Sequence, residues 1–286
     1  MASSIVFLNG KFLPEHLAKV SAFDRGFLYG DGIFETLRLV GGEPVLWDEH
    51  IRRFETGLRL LNITKPYSRP KLRSLVARLV TLNDQPDSLL RITISRGVGV
   101  RGYSPEGATH PTFMLSLHPS PAVLPGHPPA WRMITASQTL PTHSPIAAAK
   151  TANKLIQVLA RAEALDAGVE EALLLNAAGE VVEACAANLF WISEGRISTA
   201  PLASGAHPGI TRSIVAELAG PLGIAVRETT LLRPELFIAD AVFLTLSSWG
   251  IVEVIELDRC PMRRSPIVPA LHQAWCSEIR LLALQN

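Results

Sequence analysis

The chain has 286 residues, of which 48% are hydrophobic and 19% are charged, and its formal net charge is +1. This balance is typical of a folded protein with a large core, and it argues against a disordered tail or a surface that binds nucleic acid. We therefore expect a small-molecule partner and no nucleic acid, in a chain long enough for one large domain or two of ordinary size.

The cysteines and the apolar segments exclude several other classes of protein. Cys185, Cys260 and Cys276 lie far apart and lack the C-x-x-C spacing of zinc or redox sites. No metal site is predicted. The N-terminal stretch lacks a basic region followed by an apolar run and a cleavage site, and no apolar segment approaches the roughly 18 residues of a membrane-spanning helix. We expect a cytoplasmic protein without a membrane partner.

Two hairpins are predicted at the start of the chain. Apolar runs flank NG in SIVFLNGKFLP, and a second pair flanks GG in GIFETLRLVGGEPVLW. Apolar residues then recur at helical spacing in DEHIRRFETGLRLLNI, with Asp48 as the expected N-cap. The stretch SRPKLRSLVARLVTLND predicts another helix, and SLLRITISRG predicts a strand.

Proline recurs throughout residues 118–131, too often for a helix or a central strand. We expect this segment to link a small N-terminal domain, residues 1–117, to a larger C-terminal domain, residues 132–286. The larger domain should contain a helix at about 151–167, strands in EALLLNAAGEVVEACAANLFWI and DAVFLTLSS, a helix after HPGITR, and a last helix from about 267. Hairpins and separate helices predict an α+β fold with largely antiparallel sheets rather than alternating βαβ units.

Lys150, in AAAKTANKL, is the first candidate for chemistry, because lysine is scarce in this chain. The three alanines before it would leave space beside the backbone. Apolar surroundings would desolvate its ammonium, lower its pKa and suit it to Schiff-base formation. The alternative is a surface lysine at a helix start, and Lys154, one turn further on, is more readily explained as solvated.

Two further stretches could hold parts of a charged ligand. In HPGITR, Gly209 can supply an unusual backbone angle, and the N–H groups of Ile210 and Thr211 would bind an anion such as phosphate. The same residue types also suit an ordinary helix start. Glu183 lies in an alternating strand, among apolar neighbours, and a buried carboxylate there needs a partner. That partner could be a protonated ring nitrogen or an arginine.

The glycine-rich stretch ITISRGVGVRGYSPEG predicts a loop that brings Arg96, Arg101 and Tyr103 together. Guanidinium groups bind carboxylates in a two-pronged geometry, so this loop could hold an acidic substrate. The alternative is a solvated surface loop.

In chain order, seven motifs resemble those of the fold-type IV pyridoxal-phosphate enzymes. They are FDRGFLYGDGIFETLR, EHIRRF, SRGVGVRGY, KTANKL, EACAANLFW, HPGITR and FLTLSSWGI. This family includes branched-chain and D-amino-acid aminotransferases and 4-amino-4-deoxychorismate lyase. The resemblance implies pyridoxal 5'-phosphate as the cofactor. It also implies a smaller N-terminal α/β domain and a larger C-terminal domain with a barrel-like sheet, in a homodimer.

The resemblance also implies a role for individual residues. Lys150 matches the lysine that forms the Schiff base with the cofactor and then moves protons. Glu183 matches the carboxylate that hydrogen-bonds the pyridine nitrogen. The residues that match the phosphate contacts are Arg53, Ile210, Thr211 and Ser247.

Within the family, SRGVGVRGYSP and EACAANLFW resemble the lyase, and Phe34 stands where D-amino-acid aminotransferases usually carry a carboxylate-binding tyrosine. The expected reaction converts 4-amino-4-deoxychorismate to 4-aminobenzoate and pyruvate, a step toward folate. Arg101 and Tyr103, helped by Arg96, would bind substrate carboxylates, and Phe34 would line the substrate site. Against the lyase, Leu246 stands where many lyases carry asparagine.

The alternative is an aminotransferase that acts on D-amino acids, branched-chain L-amino acids or (R)-amines. A protein that keeps the fold without catalysis is a third hypothesis, which the intact lysine, glutamate and phosphate residues disfavour.

Overall fold

The computed structural model describes residues 4–285 of the chain. The chain divides into two compact units. The N-terminal unit combines the chain up to Ser120 with residues 149–153 and the end of the last helix from Arg280. The C-terminal unit contains residues 121–148 and 154–279. Lys150, which we expected in the C-terminal domain, therefore groups with the N-terminal unit.

The N-terminal unit contains six strands and three helices. They are β1 (Ile5–Leu8), β2 (Lys11–Pro14), α1 (Arg25–Tyr29), β3 (Gly32–Val40), β4 (Glu43–Pro44), α2 (Trp47–Leu61), α3 (Arg69–Asn83), β5 (Ser88–Ser95) and β6 (Thr112–Pro119).

These six strands form one antiparallel sheet in the order β2-β1-β6-β5-β3-β4. Side chains of β3 alternate between a buried face, which includes Leu37, and a half-exposed face, which includes Phe34. The buried face packs in one apolar cluster with α2 and α3, and Phe54 and Leu79 are central members of that cluster. One face of the sheet therefore carries the core, and the other keeps polar and aromatic side chains accessible.

Both predicted hairpins, the second helix and the strand at SLLRITISRG are present. The expected cap of α2 is wrong, because the helix begins at Trp47 with Leu46 at the N-cap position, in a left-handed conformation with φ of 54°. The chain turns sharply there, directly after β4. Asp48 instead lies in the first helical turn, where a carboxylate interacts favourably with the helix dipole.

The C-terminal unit holds the remaining strands and α-helices, except for the end of the last helix from Arg280. They are β7 (Ala130–Leu140), α4 (Leu155–Asp166), β8 (Glu171–Asn176), β9 (Val181–Ala184), β10 (Asn188–Ser193), β11 (Arg196–Thr199), α5 (Ile210–Ala219), β12 (Val226–Glu228), α6 (Arg233–Leu236), β13 (Ala241–Leu246), β14 (Gly250–Leu257), β15 (Cys260–Pro261) and α7 (Ile267–Gln285).

The main sheet of this unit closes into a barrel. Its order is β12-β11-β10-β13-β14-β7-β8-β9, and β9 pairs back to β10 through Glu183 and Asn188. Six strands, β10, β13, β14, β7, β8 and β9, thus form a ring, which confirms the predicted barrel-like sheet. Most pairings are antiparallel, but β7 pairs in parallel with β8 and β14. The segment β7-α4-β8 is therefore one βαβ unit within a fold for which we predicted none.

Two boundaries differ from the sequence prediction. Helix α4 starts at Leu155 rather than near 151, because residues 149–153 pair with β3 instead of turning into the helix. The proline-rich segment 118–131 is also less irregular than expected, since β6 extends to Pro119 and β7 starts at Ala130. The assignment of residues 1–117 and 132–286 as separate domains remains a prediction.

Within residues 4–285, no helix is both long enough and apolar enough to cross a membrane. The same residues contain no group of three histidine, cysteine, aspartate or glutamate side chains that could hold a metal ion.

Candidate active site

Lys150 lies in an extended segment of the N-terminal unit that follows β3 like an added strand. Its carbonyl oxygen accepts a hydrogen bond from the Phe34 N–H at 2.9 Å, and the Ala152 N–H donates to the Gly32 carbonyl at 2.9 Å. The ammonium nitrogen of Lys150 lies 5.0 Å from the centroid of the Phe34 ring. The side chain is half-buried, so it does not lie on an open surface. Lys150 also lies outside α4, which starts at Leu155.

A second cation shares the Phe34 ring. The guanidinium carbon of Arg91, on β5, lies 4.0 Å from the ring centroid, and burial lowers the pKa of Arg91. An Arg91 N–H also donates to the Thr93 hydroxyl at 3.2 Å. Phe34 therefore has two cations beside it, one of them the lysine that was the first candidate for chemistry.

Arg53 is held by a buried carboxylate. Its Nε and Nη2 donate to Oε1 and Oε2 of Glu35 at 2.8 and 2.7 Å. His50 Nδ1 lies 2.8 Å from the same Oε2, and it must carry the proton, because a carboxylate only accepts. Burial raises the pKa of Glu35, but the bonds from Arg53 and His50 outweigh burial and lower the pKa from 4.5 to about 2. Burial lowers the pKa of His50.

The Arg96 guanidinium binds acceptors of the protein, and its substrate role remains a prediction. Its Nε and Nη2 donate to the two carboxylate oxygens of Asp31 at 2.8 and 3.0 Å. Its Nη groups also donate to the carbonyls of Leu61 and Asn62, at the end of α2. The guanidinium therefore links Asp31 to the end of α2.

The loop that carries Arg101 and Tyr103 is fixed by a residue that the sequence did not single out. Arg25 is buried, and its guanidinium donates to the carbonyls of Gly102, Tyr103 and Ser104 at 2.8 to 3.1 Å. The Tyr103 side chain is 89% exposed, and Arg101 is exposed as well. The predicted flexible loop thus has a fixed backbone from which two polar side chains project.

In the C-terminal unit, Glu183 on β9 is 8% exposed and has protein donors on one oxygen. Its Oε2 accepts from the His207 backbone N–H at 2.8 Å and from Asn188 Nδ2 at 3.3 Å. The partner of Glu183 was left open between a ring nitrogen and an arginine. Its donors include the His207 backbone N–H and the Asn188 amide.

The predicted anion site lies at the start of α5. Gly209 is the N-cap residue, no side chain caps the helix, and the first-turn N–H groups of Ile210 and Thr211 have no intrahelical acceptors. Gly209 has an ordinary φ of −68°, so the expectation of an unusual backbone angle is wrong. Glycine is required for another reason: a Cβ at this position would lie 1.9 Å from Asn188 Oδ1.

Ser247, the last predicted phosphate contact, is half-buried in the turn between β13 and β14. Two residues before it, Thr245 is buried, and in the part of the chain that the structure describes its hydroxyl oxygen has no hydrogen-bond partner. A buried hydroxyl without a partner is costly in a finished core. The strand that leads to Ser247 therefore has capacity for one more hydrogen bond.

Four residues that matter to this geometry were missed by sequence reasoning: Glu35, Arg91, Arg25 and Asn188. Two of them had a signal. Glu35 occupies the buried phase of the alternating motif FETLR, and Arg91 occupies the open phase of LLRITI. No periodic pattern marks the contacts of Arg25 and Asn188. Arg25 binds Asp31, six residues away, and three carbonyls 77 to 79 residues away, and the partners of Asn188 are 5 and 19 residues away.

A family model for amino-transferase class IV matches residues 32–257. The chain belongs to the class IV aminotransferase family. A putative branched-chain-amino-acid aminotransferase of Methanocaldococcus jannaschii is 38% identical over 254 residues, which are 88% of each chain. An aminodeoxychorismate lyase of Vibrio harveyi is 33% identical over 253 residues, 87% of this chain and 89% of that one. The crystal structure of the Escherichia coli branched-chain amino acid aminotransferase matches with a TM-score of 0.89 and 26% identity, covering 96% of this chain and 94% of that one.

The protein is thus a class IV enzyme that depends on pyridoxal phosphate, as an aminotransferase or as a lyase. The side chains present fit that cofactor. The uncapped start of α5 suits a phosphate group, the hydroxyl of Thr245 lacks a partner, and the buried carboxylate of Glu183 can accept from a ring N–H.

Proposed function

We propose that this class IV enzyme is a lyase that converts 4-amino-4-deoxychorismate to 4-aminobenzoate and pyruvate. The observation that carries the proposal is the stack of Arg91 on Phe34, the ring that Lys150 also approaches. A flat apolar ring with a guanidinium on it suits a substrate that is itself a ring with a carboxylate. The loop SRGVGVRGYSP, the strand EACAANLFW and the 33% identical lyase add support.

We assign the cofactor contacts as follows. Lys150 binds the cofactor aldehyde, Glu183 accepts from its ring nitrogen, and its phosphate is bound by Ile210, Thr211, Ser247 and Arg53. Glu35 positions Arg53 for this task, since it grips two of the guanidinium nitrogens and fixes the plane of the group. When bound, the cofactor supplies a positively charged ring that withdraws electrons from the carbon that loses its proton.

Lys150 performs the proton transfers in this proposal. Its Nζ takes the proton from the amine-bearing carbon of the substrate, the carbon–oxygen bond to the enolpyruvyl group breaks, and Nζ returns a proton to the departing group, which leaves as pyruvate. No water is consumed, and the ring that remains becomes aromatic. Arg91 and Arg101 bind the substrate carboxylates, and Tyr103 adds a hydroxyl donor.

The alternative is an aminotransferase that acts on D-amino acids, branched-chain L-amino acids or (R)-amines. The 38% identity to a putative branched-chain-amino-acid aminotransferase favours it. It requires the same Lys150 and Glu183, but the amino group must remain on the cofactor and pass to a keto acid. We further propose that the enzyme is a cytoplasmic homodimer.

Two assays on one preparation test these proposals. Pyruvate release from 4-amino-4-deoxychorismate, coupled to lactate dehydrogenase, should be observed. Amino donors offered without a keto acid should leave the cofactor absorbance unchanged. If no pyruvate forms and an amino donor converts the cofactor to its pyridoxamine form, the lyase proposal is wrong and the alternative is supported.

A pair of variants tests whether Lys150 alone performs the chemistry. The Lys150→Ala variant should lose the absorbance of the lysine-bound cofactor together with pyruvate release. The Lys154→Ala variant, changed four residues away, should keep both. Arg91→Met should raise the KM for the lyase substrate more than it lowers kcat, because the guanidinium is assigned to binding.

A further inference from the structure

Asn188 lies at the junction where the barrel closes. It is the first residue of β10, and in the sheet register it lies opposite Glu183 of β9 on one side and Thr245 of β13 on the other. Asn188 therefore connects β9, which carries the carboxylate proposed to bind the cofactor ring nitrogen, to β13, which leads to Ser247. Its side chain is buried.

The Asn188 amide connects three parts of the proposed cofactor site. Its Nδ2 donates to Glu183 Oε2 at 3.3 Å and to the His207 carbonyl at 2.8 Å. The His207 N–H donates to the same Glu183 oxygen at 2.8 Å, which completes a closed set of hydrogen bonds. On its other side, Oδ1 lies against the backbone of Gly209, the N-cap residue of α5.

This network also fixes which way the amide points. Nδ2 faces two acceptors, a carboxylate and a carbonyl, and both require N–H donors. A flipped amide would place its oxygen against both acceptors and its bulkier NH₂ group against Gly209. One orientation therefore satisfies all the contacts, and an aspartate, which lacks the N–H groups, would lose both donated bonds.

We propose that Asn188 is a positioning residue that orients the Glu183 carboxylate toward the ring nitrogen of the cofactor and holds the start of α5 in register with it. The inference rests on the proposed cofactor role of Glu183. Two donors on one oxygen restrict rotation of the carboxylate, and a carboxylate fixed in advance binds a ring N–H without a further ordering cost. Asn188 acts through Glu183 and does not itself contact the cofactor.

The chain supplies a matched control. Asn176 is also buried in the C-terminal unit, and its Nδ2 donates to a glutamate, Glu180, at 2.7 Å and to the Ser204 carbonyl at 3.3 Å. It makes the same kinds of bond as Asn188 but none to Glu183. The test therefore compares Asn188→Ala and Asn188→Asp with Asn176→Ala and Asn176→Asp.

The measurement is the affinity of each apoenzyme for pyridoxal 5'-phosphate and for its deaza analogue, in which carbon replaces the ring nitrogen. We expect the Asn188 variants to lose about tenfold in affinity for pyridoxal phosphate and less than about threefold for the analogue. The Asn176 variants should affect the two ligands equally. With ¹⁵N-labelled cofactor, the ring-nitrogen chemical shift should move in the Asn188 variants and stay unchanged in the Asn176 variants.

Equal losses on the two ligands in the Asn188 variants, with an unmoved ¹⁵N shift, would show a merely structural residue and overturn the inference. Asn188→Asp nearly preserves the buried volume, so it provides the test if Asn188→Ala fails to fold. If wild-type protein binds the two ligands equally, the role of Glu183 fails, and the inference with it. A lack of pyruvate release would contradict the lyase proposal but not the role of Asn188, because the lyase and the aminotransferase alternative both use Glu183.

Discussion

Glu35 offers a strict test of the electrostatics inside the N-terminal unit. Its carboxylate is 1% exposed, and it accepts bonds from Arg53 and His50. A pKa lowered from 4.5 to about 2 corresponds to about 3 kcal/mol of stabilisation of the folded state. We expect Glu35→Gln to cost about this amount at pH 7, because it removes the charge and leaves the Arg53 guanidinium facing a neutral amide.

Glu55 is the matched control because the pKa of its carboxyl is also lowered to about 2, by hydrogen bonds from Arg69 and Lys65. Its partners are 39% and 42% exposed, so water screens these interactions. We therefore expect Glu55→Gln to cost less than about 1 kcal/mol. Because water weakens the interactions of Glu55, its carboxylate should contribute less to stability than the buried carboxylate of Glu35.

The assay is urea unfolding, monitored by hydrogen exchange in peptides from α2. These peptides report on the N-terminal unit alone. The pH dependence provides a second check. A lowered carboxyl pKa stabilises the folded state fully above pH 4.5, and this stabilisation is lost as the pH falls from 4.5 toward 2. The difference between wild type and Glu35→Gln should therefore shrink below pH 4.5. Equal costs for the two variants at pH 7, or a difference that does not change with pH, would refute the reasoning.

Two substitutions and one labelling experiment test other parts of the structure. Arg96→Met should destabilise the N-terminal unit by about 2 kcal/mol, as seen by thermal unfolding, because it removes the bonds to Asp31 and to the end of α2. A raised substrate KM in the same variant would support the predicted substrate role of Arg96, and an unchanged KM would exclude it. Gly209→Ala should weaken cofactor binding by at least about tenfold, because the new methyl group would collide with Asn188. Equilibrium dialysis measures this affinity, and an unchanged value would show that the close approach of Gly209 to Asn188 is not needed. Iodoacetamide should alkylate Cys260, the exposed thiol, in the native protein and all three cysteines in denaturant, as counted by mass spectrometry.

Much of the fold followed from local sequence patterns. The NG and GG turns, the helical spacing before residue 61 and the apolar strands each depend on neighbours within a few residues. Barrel closure did not follow from such patterns, since it depends on pairing between β10 and the distant β13 and between β14 and β7. The βαβ unit at β7-α4-β8 was missed because no strand was predicted at β7, between the proline-rich segment and the helix expected at about 151–167.

The site was predictable where a motif matched a whole family and unpredictable where side chains choose their partners through space. Lys150 and Glu183 came from motifs. The bond from Arg96 to Asp31 was not predicted, because an arginine beside a glycine-rich loop suits a carboxylate of the protein as well as one of a ligand, and Asp31 lies 65 residues away in the chain. Arg25 was missed because three of its acceptors are backbone carbonyls, which any sequence provides, beside the carboxylate of Asp31.

The alternation of β3 explains how one short motif serves two purposes. In FETLR, Glu35 points into the core, where it holds Arg53, while Phe34 faces the open side, where Lys150 and Arg91 approach it. The Phe34 N–H also donates to the Lys150 carbonyl, so the segment that carries Lys150 is hydrogen-bonded to β3. The next residue of β3, Glu35, holds Arg53, the proposed phosphate-binding arginine. A one-residue slip in β3 would exchange these faces, bury the ring and expose the carboxylate, and so disconnect both assigned roles at once. The register of β3 is therefore itself a requirement of the site, and the antiparallel pairing with β5 over seven residues maintains it.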